Sequence, residues 1–247
     1  MTGRLIALEG IDRSGRSTHA ALLEAHLRHR GHGVARTSLG SSVLSAAALR
    51  RAKRHRRPDP VEIALLSAAD LAERLDRVVE PALRAGLVVV ADRWVHTPIA
   101  RAEVRGLDRA WLDALFSFAP GPDLLVVLDV DPAESLARRD EPDAYEAGLD
   151  LRLSADLRES YRIFQGRLAD WFDREARATA AHRLRAAQPV GRVQARLEAA
   201  VDRVLRTGSP GRGSPVRGSP GRPSPGRQSP GRAARAAAPG AAGRPAT

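Results

Sequence analysis

Residues 5–18 read Leu5-Ile6-Ala7-Leu8-Glu9-Gly10-Ile11-Asp12-Arg13-Ser14-Gly15-Arg16-Ser17-Thr18. The first four are a short apolar run of buried-strand type. From Ser17 to His29, apolar residues recur at helical spacing: Ala21, Leu22, Ala25 and Leu27. The intervening loop fits the phosphate-binding pattern G-x-x-x-x-G-K-[ST] at Gly10, Gly15 and Ser17, with Arg16 in the lysine position. Strand, loop and helix in this order are the context that gives the pattern its meaning. Glycines let backbone N–H groups turn toward phosphate oxygens, and the helix N-terminus adds partial positive charge. The Ser17 hydroxyl is a ligand for Mg²⁺ bridging the terminal phosphates. Arginine keeps the positive charge of lysine but is bulkier and planar. The loop therefore predicts nucleoside triphosphate binding over Gly10, Ile11, Asp12, Arg13, Ser14, Gly15, Arg16, Ser17 and Thr18.

The rest of the body alternates strand-like and helix-like segments, which predicts an α/β fold with a parallel sheet. Strands are expected at Arg4–Leu8, Val34–Ser38, Leu87–Ala91, Leu124–Val130 and His182–Ala186. Helices are expected at Ser17–Arg30, Pro60–Ala85, Arg109–Phe118, Pro132–Arg139, Leu151–Arg177 and Val190–Arg206. Asp59-Pro60 and Asp131-Pro132 read as helix starts, an acidic cap followed by proline in the first turn.

Composition bounds the remaining classes. The chain has 247 residues, 43% of them hydrophobic, enough for one α/β domain and a tail. It has no cysteine, which excludes disulfides, thiolate metal sites and a cysteine nucleophile. The longest apolar runs, Leu87–Ala91 and Leu124–Leu128, are too short to span a bilayer, and no signal peptide is visible. A cytoplasmic protein without membrane contact is expected. Net charge is +11, but the seven arginines of residues 208–247, with no acidic residue, leave only +4 on residues 1–207. Ser-Pro-Gly-Arg recurs along that tail, a composition that predicts disorder over 207–247 after a folded domain over 1–206. The tail reads as a solvated extension, with an electrostatic arm for nucleic acid as the alternative. A second basic run, Arg50–Arg57, reads as a solvated helix end, with an acidic substrate or DNA as the alternative.

The opening motif resembles that of thymidylate kinases, Glu-Gly-x-Asp-x-x-Gly-Lys-Ser/Thr-Thr. Leu87–Trp94 resembles their strand ending in Asp-Arg-Tyr, and Pro122–Asp129 their Pro-Asp-Leu-…-Leu-Asp segment. Ala137-Arg138-Arg139, followed by Tyr145-Glu146-Ala147-Gly148, is similar to their lid, and Leu184–Gln188 to their last strand. The resemblance runs in order over residues 4–206. It implies a P-loop kinase fold, a five-stranded parallel sheet flanked by helices, and transfer of the ATP γ-phosphoryl group, with Mg²⁺, to thymidylate. By resemblance, Arg13 assists catalysis and Asp12 positions Arg13 or the acceptor phosphate. Arg16 takes the place of the loop lysine. Asp92 holds Mg²⁺ together with Ser17, Arg93 grips the acceptor phosphate, and Arg138 and Arg139 close over the phosphates. Such kinases are often homodimers.

The sequence departs from the family where the base is read. Ser67-Ala68-Ala69-Asp70-Leu71 replaces Phe-x-Ala-Asn/Asp-Arg, so the stacking aromatic becomes Ser67 and the arginine becomes Leu71. Arg36-Thr37-Ser38-Leu39-Gly40 replaces an Arg-Glu-Pro-Gly-Gly stretch, and the lid arginine is Ala144. The Gln-Gly-x-Gly-Arg stretch survives only as Ala102-Glu103-Val104-Arg105. Arg74, one turn beyond Leu71, is the candidate replacement on the acceptor, alongside Arg105. Two alternatives stay open: a kinase of another nucleoside monophosphate, and a non-catalytic nucleotide-binding protein with a basic tail.

Overall fold

The computed structural model describes residues 3–55, 58–138 and 141–207. The expected disordered tail, Arg139 and the end of the second basic run lie outside the described residues. The central strand β1, Arg4–Glu9, is buried throughout, and its apolar centre Leu5–Leu8 suits a strand covered on both faces, with the buried charges Arg4 and Glu9 at its ends. It leads through the glycine-rich loop into helix α1, Arg16–His29, whose Ala20, Leu23 and Leu27 pack back on the sheet. Strand β2, Val34–Ser38, follows, and then helix α2, Ala46–Lys53.

Helix α3, Pro60–Arg74, starts as predicted: Asp59 accepts from the Val61 N–H at 2.8 Å. The expected single helix to Ala85 is instead interrupted. Residues Leu75–Val79 form a π turn in which the Glu80 N–H reaches back to Leu75 O, before helix α4, Glu80–Arg84. Pro81 is the physical reason, since it has no N–H to continue the regular ladder. Strand β3, Val88–Asp92, leads to helix α5, His96–Glu103, and helix α6, Arg109–Leu115. Strand β4, Leu124–Asp129, is followed by helix α7, Pro132–Ala137, with Asp131 as its cap. Helix α8 runs Leu157–Thr179, six residues later than the expected start, because Leu149–Leu151 forms a 3₁₀ turn and Asp156 caps the helix proper. Strand β5, His182–Arg185, and helix α9, Val190–Thr207, complete the fold.

The sheet order is β2-β3-β1-β4-β5 and every pairing is parallel. All five expected strands are present. The edge strands β2 and β5 carry Arg36, Arg183 and Arg185, charges that discourage further strand pairing. Helix α5 was not expected, and α2 only as the solvated helix end read in the second basic run. α2 runs into that basic run: Ala46, Leu49 and Ala52 share its buried side while Arg50 and Arg51 face solvent. α5 carries Pro98 in its first turn, where the missing N–H costs little.

Parallel strands place their C-terminal ends on one rim, where α/β folds bind ligands. The loop after β1, Asp92-Arg93 after β3 and Ala186 after β5 all lie there. Gly10 marks the sharp departure from β1. Its φ is +137°, and a Cβ would sit 2.5 Å from Leu128 O of β4. Gly10→Ala is expected to weaken folding by about 1–3 kcal/mol and to abolish nucleotide binding. Denaturant unfolding and a nucleotide titration check both.

Candidate active site

A cleft of about 530 Å³ opens over the loop, lined by Asp12–His19, Arg93, Arg138, Glu146 and Gln188 among others. α1 begins at Arg16, so its N-terminal end points at this space. Gly15 adopts φ +97°, and Arg138 lies over it. Arg138 donates to Arg13 O at 3.1 Å and to Ala186 O at 2.8 Å, which ties the segment after α7 across the mouth of the loop.

Asp12 is the electrostatic centre. It is 2% exposed. Its Oδ1 bonds Arg93 Nη2, and its Oδ2 accepts from Arg101 Nη2 at 2.5 Å and Gln165 Nε2 at 2.8 Å. Arg16 Nη2 stands 3.9 Å away. The Asp12 N–H donates to Gln165 Oε1, and the Tyr161 hydroxyl donates to Asp12 O. Burial alone would raise its pKa, but Arg101, Arg93 and Arg16 hold it far below the usual carboxylate range. The pairing is mutual, since Asp12 holds Arg101 above the usual arginine value despite burial.

Arg16 is 5% exposed and turns back onto its own loop. Its Nη1 donates to Gly10 O at 2.5 Å, to Ile11 O, and to Ser14 Oγ at 3.0 Å. Its Nε faces Asp92 Oδ1 at 3.4 Å. Burial, with Arg93 nearby, pushes its pKa down to about 10, so it stays charged at neutral pH. The fork geometry of arginine allows this grip on several loop acceptors at once.

Ser17 Oγ donates to Asp92 Oδ2 at 2.5 Å, and Asp92 Oδ1 is buried without a hydrogen bond. This hydroxyl and carboxylate are oxygen donors of the kind Mg²⁺ prefers, and Oδ1, facing Arg16 but without a hydrogen bond, keeps a lone pair for an ion there. Among the described residues no group of three or more His, Cys, Asp or Glu gathers to hold a metal. Arg93, at φ +73°, donates through Nη1 to Thr97 Oγ1 at 3.2 Å. Arg13, at φ +61°, pairs with Glu146 at 3.4 Å and lies over the Tyr161 ring. Strained backbone at two arginines of one cleft is a mark of a functional site. Glu9 fixes the far wall. Buried completely, it accepts from the Trp94 N–H at 2.7 Å and from Thr97 Oγ1 at 2.5 Å. That locks the turn after β3 to β1.

The structure thus gathers Asp12, Arg13, Arg16, Ser17, Thr18, Arg93 and Arg138 around one cleft, with Asp92 at its base. Arg105 lies elsewhere, in an adjoining cleft between α2, α3 and α5. It is clamped to Asp150 at 2.8 Å and stacked on the Tyr145 ring. Arg74 lines neither cleft. It is buried, bonded to Asp70 at 2.8 Å and Thr37 at 3.1 Å, with Nη2 unpartnered. Sequence reasoning missed Arg101 and Gln165, which hold Asp12. Arg101 had a signal: Arg93, Thr97, Arg101 and Arg105 recur every four residues, one face of a helix. Gln165, on α8 and 153 positions from Asp12, had none.

A parallel sheet with a glycine-rich loop after its central strand, and arginines converging from β3, α5 and the lid, defines a P-loop protein of the nucleotide kinase class. Comparison with known proteins agrees. The family model for thymidylate kinase matches residues 8–196. A probable thymidylate kinase 2 of Saccharolobus solfataricus is 34% identical over 181 residues, 72% of this chain and 84% of that protein. A probable thymidylate kinase of Pyrococcus horikoshii is 40% identical over 144 residues, 56% and 70% of the two chains. A thymidylate kinase of Ruegeria pomeroyi is 39% identical over 144 residues, 56% and 68%. The chain belongs to the thymidylate kinase family.

Asp12→Ala leaves two buried guanidiniums, Arg16 and Arg101, and the partly buried Arg93 without their shared anion. It is expected to destabilise the fold by about 3–5 kcal/mol, read by denaturant unfolding at neutral pH. The Asp12 contribution has a definite pH sign. A depressed folded pKa gives stability that is present above the unfolded value and lost as pH falls toward the folded one. The gap between the unsubstituted chain and Asp12→Ala should narrow in acid.

Proposed function

We propose that the chain phosphorylates thymidylate, converting ATP and dTMP to ADP and dTDP in the cytoplasm. The observation that carries this reading is the convergence of Arg13, Arg16, Arg93 and Asp92 with Ser17 on one cleft. A phosphoryl-transfer site needs positive charge from several directions and little covalent chemistry.

The roles follow from position. The loop and the start of α1 seat the terminal phosphates of ATP. Arg93, braced by Asp12 and Thr97, grips the acceptor phosphate and directs its oxygen at the γ-phosphorus. An oxygen–phosphorus bond forms to the acceptor as the bond to the ADP oxygen breaks. Arg13 and Arg16 stabilise the charge on the transferring group, and Arg138 covers the loop. The oxygens of Ser17 and Asp92 would hold Mg²⁺, which neutralises charge on the terminal phosphates when bound. Among the described residues no helix is long and apolar enough to cross a membrane.

ADP release by the purified chain with Mg-ATP and each nucleoside monophosphate in turn tests the reading. Turnover with dTMP is expected. Nucleotide binding without turnover of any monophosphate would reject it. Arg16→Ala should lower kcat by about 10²-fold or more, with Arg16→Lys largely restoring it. Arg13→Ala should cost about 10³-fold.

A further inference from the structure

Tyr161 stands one turn into α8 and is fully buried, packed with Leu136 of α7 and with Ala147 of the segment before α8. It lies behind the cleft over the loop rather than in its wall, yet it meets the loop twice. Its ring lies under the Arg13 guanidinium, 5.2 Å from Cζ to the ring centroid. Its hydroxyl stands 3.3 Å from Asp12 O and 3.1 Å from Ser135 Oγ. A carbonyl only accepts, so the phenol donates to Asp12 O. Burial pushes the hydroxyl pKa up to about 12, so the phenol keeps its proton at neutral pH.

Arg13 needs such support. Its φ of +61° is a conformation that a non-glycine residue keeps only when its surroundings hold it. The carbonyls on both sides of it are held: Tyr161 donates to Asp12 O, and Arg138 donates to Arg13 O at 3.1 Å. Two contacts of its side chain differ in kind. Glu146 lines the cleft and pairs with it at 3.4 Å through an opposite charge. Tyr161 offers a neutral π face from the buried side. A phosphoryl group entering the cleft competes for the guanidinium with the carboxylate, not with the ring. A cation held by a ring keeps its charge for that group, whereas Arg93, Arg101 and Arg16 share Asp12.

Resting on the phosphoryl-transfer reading above, we infer that Tyr161 is a positioning residue for Arg13, its ring seating the guanidinium at the cleft without neutralising it. Tyr161 touches no reacting atom and acts through Arg13. It also joins three parts that must agree during transfer: the loop, α7 and the segment before α8.

The test compares the full chain with Tyr161→Leu, which removes the ring, and Tyr161→Phe, which removes only the hydroxyl. Each is made alone and together with Arg13→Ala. Steady-state kinetics are measured with Mg-ATP and dTMP, and ATP affinity by direct titration. Tyr161→Leu should lower kcat about tenfold, with the KM for dTMP and the Kd for ATP changed by less than about threefold. Tyr161→Phe should restore most of that loss. In the Arg13→Ala background Tyr161→Leu should cost less than about twofold more, because the group it positions is gone. Equal fractional losses with and without Arg13 would overturn the assignment, and so would a loss in Tyr161→Phe as large as in Tyr161→Leu. A kcat for Tyr161→Leu within about twofold of the unsubstituted chain would do the same. If Tyr161→Leu fails to fold, shown by loss of a cooperative unfolding transition, phenylalanines of increasing ring fluorination are incorporated in place of Tyr161. Fluorination weakens the π face at nearly constant size, so kcat should fall stepwise. A kcat unmoved across that series would overturn the assignment. Each of these failures leaves the kinase reading in place as long as the unsubstituted chain turns over dTMP. Absence of turnover with any monophosphate would overturn both.

Discussion

One buried carboxylate organises this active site. Phosphoryl transfer requires several cations in a small volume, and such cations repel one another before any substrate arrives. Asp12 resolves that conflict. It sits in the loop itself, accepts from Arg93 and Arg101, and lies near Arg16, while Gln165 of α8 holds it from behind. A charge this deep is costly unless each of its oxygens is matched, and here both are. The same contacts bring β1, β3, α5 and α8 into register around the cleft. The site and the fold therefore share one electrostatic anchor, and it is occupied before ATP or acceptor enters.

Arg16 shows how the chain accommodates a change at the centre of its signature motif. A lysine would extend a single point charge toward the phosphates. The guanidinium instead spans Gly10 O, Ile11 O and Ser14 Oγ, and so braces the loop while keeping its charge in the cleft. Glu9 does comparable work one residue before the loop, binding the turn after β3 to β1. Loop geometry thus depends on side-chain contacts made within the protein itself.

What the sequence disclosed follows from how local each signal is. β1, β3 and β4 were legible because buried parallel strands are runs of apolar residues. The charged edge strands β2 and β5 were legible through their place in the strand–helix alternation, and the loop because its glycines sit at fixed spacing. Asp59 and Asp131 showed two helix starts through cap chemistry. α2 was obscured because its exposed arginines outweigh three small buried contacts, and α5 because proline is read as a breaker even in a first turn. The π turn at Leu75–Val79 depends on the ladder around Pro81 and has no pattern of its own. Gln165 and Glu146 gain their meaning from elements distant in the chain, which no periodicity reports.

The two halves of the site differ in how they are built, and that difference explains where this chain departs from its family. The cleft over the loop is walled by loop backbone, a helix end and residues at strand termini, all fixed by the sheet. Changing any of them disturbs the core, as Gly10 against Leu128 shows. Side chains projecting from α3 are exchanged more easily, because the helix backbone stays in place when one of them changes. Ser67 and Leu71 could therefore replace an aromatic and an arginine without disturbing the fold.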